Sequence, residues 1–102
     1  MKKFRGIGVA IVTPFKNDTS IDFAALGKII DHVINGGVNY IVLLGTTGEA
    51  ATLSKDEKSA LTSYVTEAVD KRVPVVLGIG GYSTNEVIGC IRKTNFEGID
   101  AI

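Results

Sequence analysis

Leu43-Leu44-Gly45-Thr46-Thr47-Gly48-Glu49-Ala50-Ala51-Thr52-Leu53-Ser54 is the stretch on which the fold turns. The apolar run at residues 40–44 leads into it and reads as a buried strand. Gly-Thr-Thr-Gly then makes a turn. Ser54, with Glu57 three residues on, reads as the capping box of a helix. The stretch is therefore strand, loop, helix. It sets two adjacent hydroxyls and several backbone N–H groups just past the carboxyl end of a strand. Turn and helix-start N–H groups have no partner inside their own element, so such a place suits a small anion. Glycines on both sides let the backbone approach a ligand closely.

The same plan repeats upstream. Residues 7–12 are rich in β-branched side chains, carry no charge and read as a strand apolar on both faces. Thr13-Pro14 ends it, and Lys16-Asn17-Asp18-Thr19-Ser20 is a polar loop. Asp22 is a good N-cap, with Ile21 and Leu26 at the hydrophobic staple positions. The helix runs to about Asn35 and buries one stripe: Leu26, Ile29, Ile30, Val33 and Ile34. Gly36-Gly37 stops it. Residues 38–44 form the second strand.

Downstream the plan repeats again. The helix opened by Ser54 continues to about Lys71, with Ala60, Leu61, Tyr64, Val65, Ala68 and Val69 as its buried face. Pro74 introduces a third strand at residues 75–79, whose end is crowded by Gly78, Gly80 and Gly81. Ser83-Thr84-Asn85-Glu86 repeats the capping-box pattern. A shorter helix runs to about Asn95 with Val87, Ile88 and Ile91 inward, and Gly98 ends it. Ile99-Asp100-Ala101-Ile102 starts a fourth strand.

Alternating elements of this length give an α/β fold with parallel strands and right-handed crossovers. An open doubly wound sheet and the first part of a (β/α)8 barrel both fit, and both place ligands at the carboxyl ends of strands. A barrel needs about 250 residues, and this chain has 102. Three and a half units would leave exposed sheet edges and an uncovered core. Residues 1–102 are therefore read as the N-terminal portion of a single barrel domain.

Composition narrows the function. Net charge is zero, so no basic surface advertises nucleic acid or an anionic membrane. One cysteine, Cys90, excludes an internal disulfide framework and a multi-cysteine metal site, and it reads as a small buried filler. His32 lies off the apolar stripe, among Lys28, Asp31 and Asn35, with no second histidine to make a metal pair. Behind the charged start Met1-Lys2-Lys3-Phe4-Arg5, the apolar run is too short for a signal peptide. No segment is long enough to span a bilayer. A cytoplasmic protein without cofactor or metal is the reading.

From the residues alone, the Gly-Thr-Thr-Gly turn is either a carboxylate or phosphate site, or a turn whose threonines satisfy their own backbone. It is not a Walker loop, since the glycine spacing is wrong and no lysine follows. Gly78-Ile79-Gly80-Gly81 lacks a full dinucleotide fingerprint.

Three motifs then resemble one family. They are Gly8-Val9-Ala10-Ile11-Val12-Thr13-Pro14-Phe15, Gly45-Thr46-Thr47-Gly48-Glu49-Ala50-Ala51-Thr52-Leu53, and Pro74-Val75-Val76-Leu77-Gly78-Ile79-Gly80. Together they resemble dihydrodipicolinate synthase, also called 4-hydroxy-tetrahydrodipicolinate synthase, within the N-acetylneuraminate lyase superfamily of class I pyruvate aldolases. The double threonine favours the synthase, because the neuraminate lyases usually have serine at the first position. The resemblance implies a TIM barrel, of which this chain holds the first three βα units and the start of strand 4. It implies a lyase in which pyruvate forms a Schiff base with a lysine, becomes an enamine and attacks L-aspartate semialdehyde. The product enters lysine and diaminopimelate biosynthesis, and the full-length family is commonly a homotetramer.

Carried over residue by residue, Thr46 and Thr47 match the pair that holds the pyruvate carboxylate, and Thr46 also matches the proton-relay hydroxyl. Glu86 and Ala51 fall at an allosteric lysine site. Ala50, Lys58 and Tyr82 depart from the residues common there. The Schiff-base lysine, the relay tyrosine and the entrance arginine belong to later strands. Lys2, Lys3, Lys16, Lys28, Lys55, Lys58, Lys71 and Lys93 all lie at the terminus, in loops or outside the main apolar stripes. Tyr40, Tyr64 and Tyr82 do not match the relay tyrosines. The chain alone is read as inactive. The rivals are another pyruvate-dependent aldolase, such as a neuraminate or keto-deoxy sugar acid lyase, and a non-catalytic half-barrel that binds a carboxylate.

Overall fold

Three short parallel strands form one sheet in the order β1-β2-β3: β1 is Gly8–Ala10, β2 Tyr40–Leu43 and β3 Val75–Leu77. The computed structural model describes residues 2–102, and helices α1 (Phe23–Asn35), α2 (Lys55–Val69) and α3 (Thr84–Lys93) follow the strands in turn. Val9 pairs with Ile41, and Ile41 with Val75. Ala101 bridges Val76 in parallel, and the Leu77 N–H donates to the Ala101 carbonyl at 2.9 Å. The start of a fourth strand is therefore in place beside β3. β1 is shorter than residues 7–12, although the Ile11 N–H still donates to the Val42 carbonyl at 3.0 Å. Beyond the paired residues, Ile7 and Val12 stand 67% and 47% exposed.

The period-2 alternation of the strands sorts their side chains. Ile41, Leu43, Val75 and Leu77 are buried and pack with Leu26 and Ile30 of α1 and Leu61, Val65 and Val69 of α2. Their alternates Tyr40, Val42 and Val76 are half-buried, and Gly8 and Ala10 are exposed. Helices thus cover one face. The extents of 39 × 37 × 20 Å are those of a sheet with a single helical layer.

The caps follow the sequence closely. Asp22 Oδ1 accepts from the Ala25 N–H at 3.0 Å. Ser54 Oγ accepts from the Glu57 N–H at 3.1 Å while Glu57 Oε1 accepts from the Ser54 N–H at 2.9 Å, a complete capping box. α2 ends at Val69, with Asp70 in the left-handed region at φ 48°. Its burial follows the i, i+4, i+8 line Leu61, Val65, Val69. Ala60, one position off that line, is exposed.

α3 departs most from expectation. It contributes no fully buried residue, Ile88 is 41% exposed, and Cys90 is exposed rather than a buried filler. The helix lies at the margin of the sheet, where the fourth strand has only begun. Its end comes at Lys93, because the Thr94 N–H and hydroxyl both donate to the Cys90 carbonyl, at 3.0 and 2.6 Å. Gly98, at φ 79°, instead makes the later turn into the fourth strand.

The amino ends of the strands are closed by packing. Phe4 meets Tyr40 edge-on at 5.7 Å. Lys3 pairs with Asp100, whose other oxygen accepts from the Val75 N–H at 2.9 Å. The Lys3 hydrogen bond holds the Asp100 carboxyl below its ordinary range, with the Val75 bond adding to it against the cost of burial. No helix of the described residues is long and apolar enough to cross a membrane.

Candidate active site

The carboxyl ends of the strands stay open, and the Thr46-Thr47 turn sits there. β2 leaves the sheet through Leu44, which adopts a left-handed conformation at φ 57°. Thr46–Gly48 then forms a tight 3-10 turn. Glu49, again left-handed at φ 58°, reverses the chain into a second 3-10 turn, Ala50–Thr52, before the α2 cap. The positive φ values therefore fall on a leucine and a glutamate. Such conformations are uncommon for residues with a side chain and persist where the surroundings fix them.

Gly48 and Gly78 serve packing. Gly48 is buried, and a Cβ there would lie 3.2 Å from the Ile11 carbonyl and 3.5 Å from Thr13 Oγ1. Its close approach is to the segment just past β1. Gly78 lies under the turn. A Cβ there would lie 2.5 Å from the Leu44 carbonyl oxygen and 3.1 Å from the Gly45 nitrogen.

The donors at Thr46 and Thr47 are unused. Thr46 and Thr47 are exposed, and neither their hydroxyls nor their N–H groups have a hydrogen-bond partner among the described residues. Five other threonines, among them Thr52 and Thr62, do use their hydroxyls on backbone carbonyls. Thr52 Oγ1 donates to the Glu49 carbonyl and Thr62 Oγ1 to the Lys58 carbonyl. The reading in which the pair satisfies its own backbone therefore lacks its hydrogen bonds. At the α2 start the capping box uses the Ser54 and Glu57 N–H groups, so the hydroxyl of Ser54 is spent there while those of Thr46 and Thr47 are not.

The other candidates are placed apart. Ala51 is exposed in the second 3-10 turn, and Glu86 is exposed in the first turn of α3. Ser83 Oγ accepts from the Glu86 N–H at 3.4 Å, but the Glu86 carboxylate returns no bond to Ser83. That box is half made, and the carboxylate has no partner among the described residues. Every lysine but the half-buried Lys58 is exposed, and none lies on a strand. Tyr64 packs on Phe23 at 5.1 Å, and Tyr82 is fully exposed. His32 is exposed, as its place off the stripe predicts. Among the described residues no three His, Cys, Asp or Glu side chains gather as a metal site.

Sequence reasoning missed Thr13 and Gly78 as parts of this site. Both carry a signal, in the Thr-Pro that ends the first strand and the glycine cluster that ends the third. Which contacts they make depends on the sheet register.

A model of the dihydrodipicolinate synthetase family matches residues 3–102. The chain belongs to this family. A 4-hydroxy-tetrahydrodipicolinate synthase of Parabacteroides distasonis is 49% identical over 98 residues, covering 96% of this chain and 33% of its own length. The chloride-inhibited dihydrodipicolinate synthase of Acinetobacter baumannii, solved with pyruvate, superposes with a TM-score of 0.82 at 40% identity, over 85% of this chain and 30% of that one. N-acetylneuraminate lyase of Mycoplasma synoviae superposes with a TM-score of 0.80 at 29% identity, over 89% and 32%. The chain spans about a third of the length of the curated relatives it matches. Its parallel strands and crossover helices are therefore part of a TIM barrel, which resolves the choice of architecture in favour of the barrel.

Proposed function

We propose that this chain carries the pyruvate-binding loop of a 4-hydroxy-tetrahydrodipicolinate synthase, as the first portion of one barrel domain. The observation that carries the proposal is the pair Thr46-Thr47, with two hydroxyls and two N–H groups unpaired at the open carboxyl end of β2. A carboxylate is acceptor-only and takes several such donors at once. The names of the relatives, and the pyruvate in the Acinetobacter structure, supply the ligand class.

In this scheme a lysine amine from a later strand condenses with the keto carbon of pyruvate and releases water. A methyl proton then leaves to give the enamine, and the enamine carbon attacks the aldehyde of L-aspartate semialdehyde. Thr47 holds the carboxylate. Thr46 holds it and passes protons, which a hydroxyl can do because it donates and accepts without carrying charge. The lysines of this chain are unsuited to the Schiff base. A lysine that attacks must be partly neutral, which needs a desolvated or cation-rich pocket, and these lysines stand in solvent or along α2. The chain alone is therefore inactive, and the synthase assembles as a homotetramer in the cytoplasm. Glu86, with its unpaired carboxylate, and Ala51 form part of a lysine feedback site.

The likeness to N-acetylneuraminate lyase supports a second reading, an aldolase of the same kind with another aldehyde. The two differ in an assay of the full-length gene product. Pyruvate consumption dependent on L-aspartate semialdehyde is the expected result. Turnover with N-acetylneuraminate or a keto-deoxy sugar acid, and none with the semialdehyde, favours the second. Absence of any turnover that consumes or releases pyruvate overturns both.

A further inference from the structure

We infer that Thr13, at the end of the first strand segment, is the positioning residue of the Thr46-Thr47 turn. The inference rests on the carboxylate-binding reading of that turn. Among the described residues Thr13 is the buried polar side chain of the core, 5% exposed. Its hydroxyl donates to the Gly48 carbonyl at 2.6 Å, across 35 residues of chain. The remaining backbone bonds of the turn are local: Gly48 N–H to the Gly45 carbonyl at 3.0 Å and Glu49 N–H to the Thr46 carbonyl at 2.9 Å. Local bonds fix the shape of a turn but not its place over the sheet. Thr13 supplies the place.

Three further features agree. Gly48 is buried and close to the Ile11 carbonyl, so the turn lies down on the end of the first strand segment. The Ile11 N–H donates to the Val42 carbonyl at 3.0 Å, so this segment is itself tied to β2 and makes a rigid anchor. Leu44 and Glu49, at φ 57° and 58°, bracket the tethered piece and hold conformations that a free loop would leave. The Thr13 hydroxyl is spent on the carbonyl of Gly48, so it acts through the turn, whose donors at Thr46 and Thr47 stay free for a ligand. A pair of donors aimed at a carboxylate loses much of its effect when displaced by about an ångström.

The test uses the full-length gene product and three variants. Thr13→Val keeps the shape and removes the donor. Thr13→Ser keeps the donor. Gly48→Ala pushes the same contact from the other side, since its Cβ would meet the Ile11 carbonyl at 3.2 Å. Hydrogen exchange followed by mass spectrometry reads residues 45–49, and steady-state kinetics reads pyruvate. Thr13→Val should speed exchange at 45–49 and raise the pyruvate KM, each by roughly tenfold, because a buried carbonyl loses its donor. The KM for the aldehyde should stay put. Thr13→Ser should lie within about twofold of the parent, and Gly48→Ala should shift both readouts in the direction of Thr13→Val. Unchanged exchange at 45–49 in Thr13→Val overturns the inference, as does an altered melting temperature with an unaltered pyruvate KM. If Thr13→Val does not fold, Thr13→Ser and Gly48→Ala decide between the same outcomes. A parent protein that neither turns over pyruvate nor shows protection of 45–49 by it sinks the carboxylate reading. The exchange comparison still decides whether Thr13 holds the turn.

Discussion

Adding one methyl group at Gly78 should displace the Thr46-Thr47 turn without touching it. A Cβ at this position would lie 2.5 Å from the Leu44 carbonyl oxygen and 2.9 Å from its carbon, where ordinary contact begins at 3.4 Å. The atoms must therefore separate by 3.4 − 2.5, about 0.9 Å, and both sides are backbone, which cannot turn aside as a side chain can. The Gly78 N–H also donates to the Leu43 carbonyl at 2.7 Å, so the shift strains the last bond between β2 and β3. Overpacking of this kind costs about 1–3 kcal/mol. At a urea m-value near 1 kcal/mol/M, the midpoint falls by about 1 M or more. Because Leu44 leads directly into the turn, a displacement approaching 1 Å should lower kcat/KM for pyruvate by up to about 100-fold. Gly80→Ala is the control. Nothing lies within 4 Å of its Cβ, so stability should stay within about 0.5 kcal/mol. The measurements are urea denaturation of the chain and steady-state kinetics of the full-length gene product. A Gly78→Ala protein with the parent's midpoint and the parent's kcat/KM would refute the reasoning. It would mean that the Leu44 peptide yields freely and that the turn is not located by this close approach.

Three further outcomes can be checked in the same way. Ser54→Ala should cost about 1 kcal/mol by thermal or urea unfolding, because it opens a complete capping box. Ser83→Ala should cost less, since its bond to the Glu86 N–H is long at 3.4 Å and unreciprocated. The two threonines should separate kinetically. Thr46→Val should lower kcat by roughly 100-fold or more as a lost proton relay, and Thr47→Val should mainly raise the pyruvate KM by about tenfold. Asp100 sets an acid limit on stability. Its folded-state pKa is lowered, chiefly by the Lys3 hydrogen bond. Its contribution is thus present above the unfolded carboxyl's pKa, about 3.9, and is lost as pH falls through the lower folded value. Asp100→Asn should flatten the acid limb of the unfolding profile below about pH 4, and an unchanged limb would count against the Lys3–Asp100–Val75 linkage.

The helices and the order of elements were legible because their signals are local. Asp22 and Ser54 each satisfy an N–H three residues away, and the stripe Leu26, Ile30 needs only helical spacing to be seen. The exposed pair of hydroxyls at the carboxyl end of β2 was legible because Thr46 and Thr47 follow an apolar run. What the sequence hid depends on contacts across the sheet. The apolar run at residues 7–12 looks the same whether one neighbour or two lie beside it, so its exposure could not be read. The amphipathic pattern of α3 announces an apolar face, but nothing local says how much of that face is covered. For the same reason Cys90 looked buried and stands exposed. The glycines of the turn suggested close backbone approach to a ligand, yet Gly48 is spent on proximity to Ile11 and Thr13, and the left-handed angles fall on Leu44 and Glu49. That exchange of roles follows from the register of β1 on β2, which is invisible in one dimension.

Intact mass after borohydride reduction with pyruvate tests the central claim most directly, made on the 102-residue chain and on the full-length gene product side by side. Reduction turns any imine between pyruvate and a lysine into a stable adduct. The proposed synthase predicts one adduct on the full-length product, mapped to a lysine outside residues 1–102, and none on this chain. An adduct on one of the lysines between Lys2 and Lys93, or no adduct on the full-length product, would contradict it.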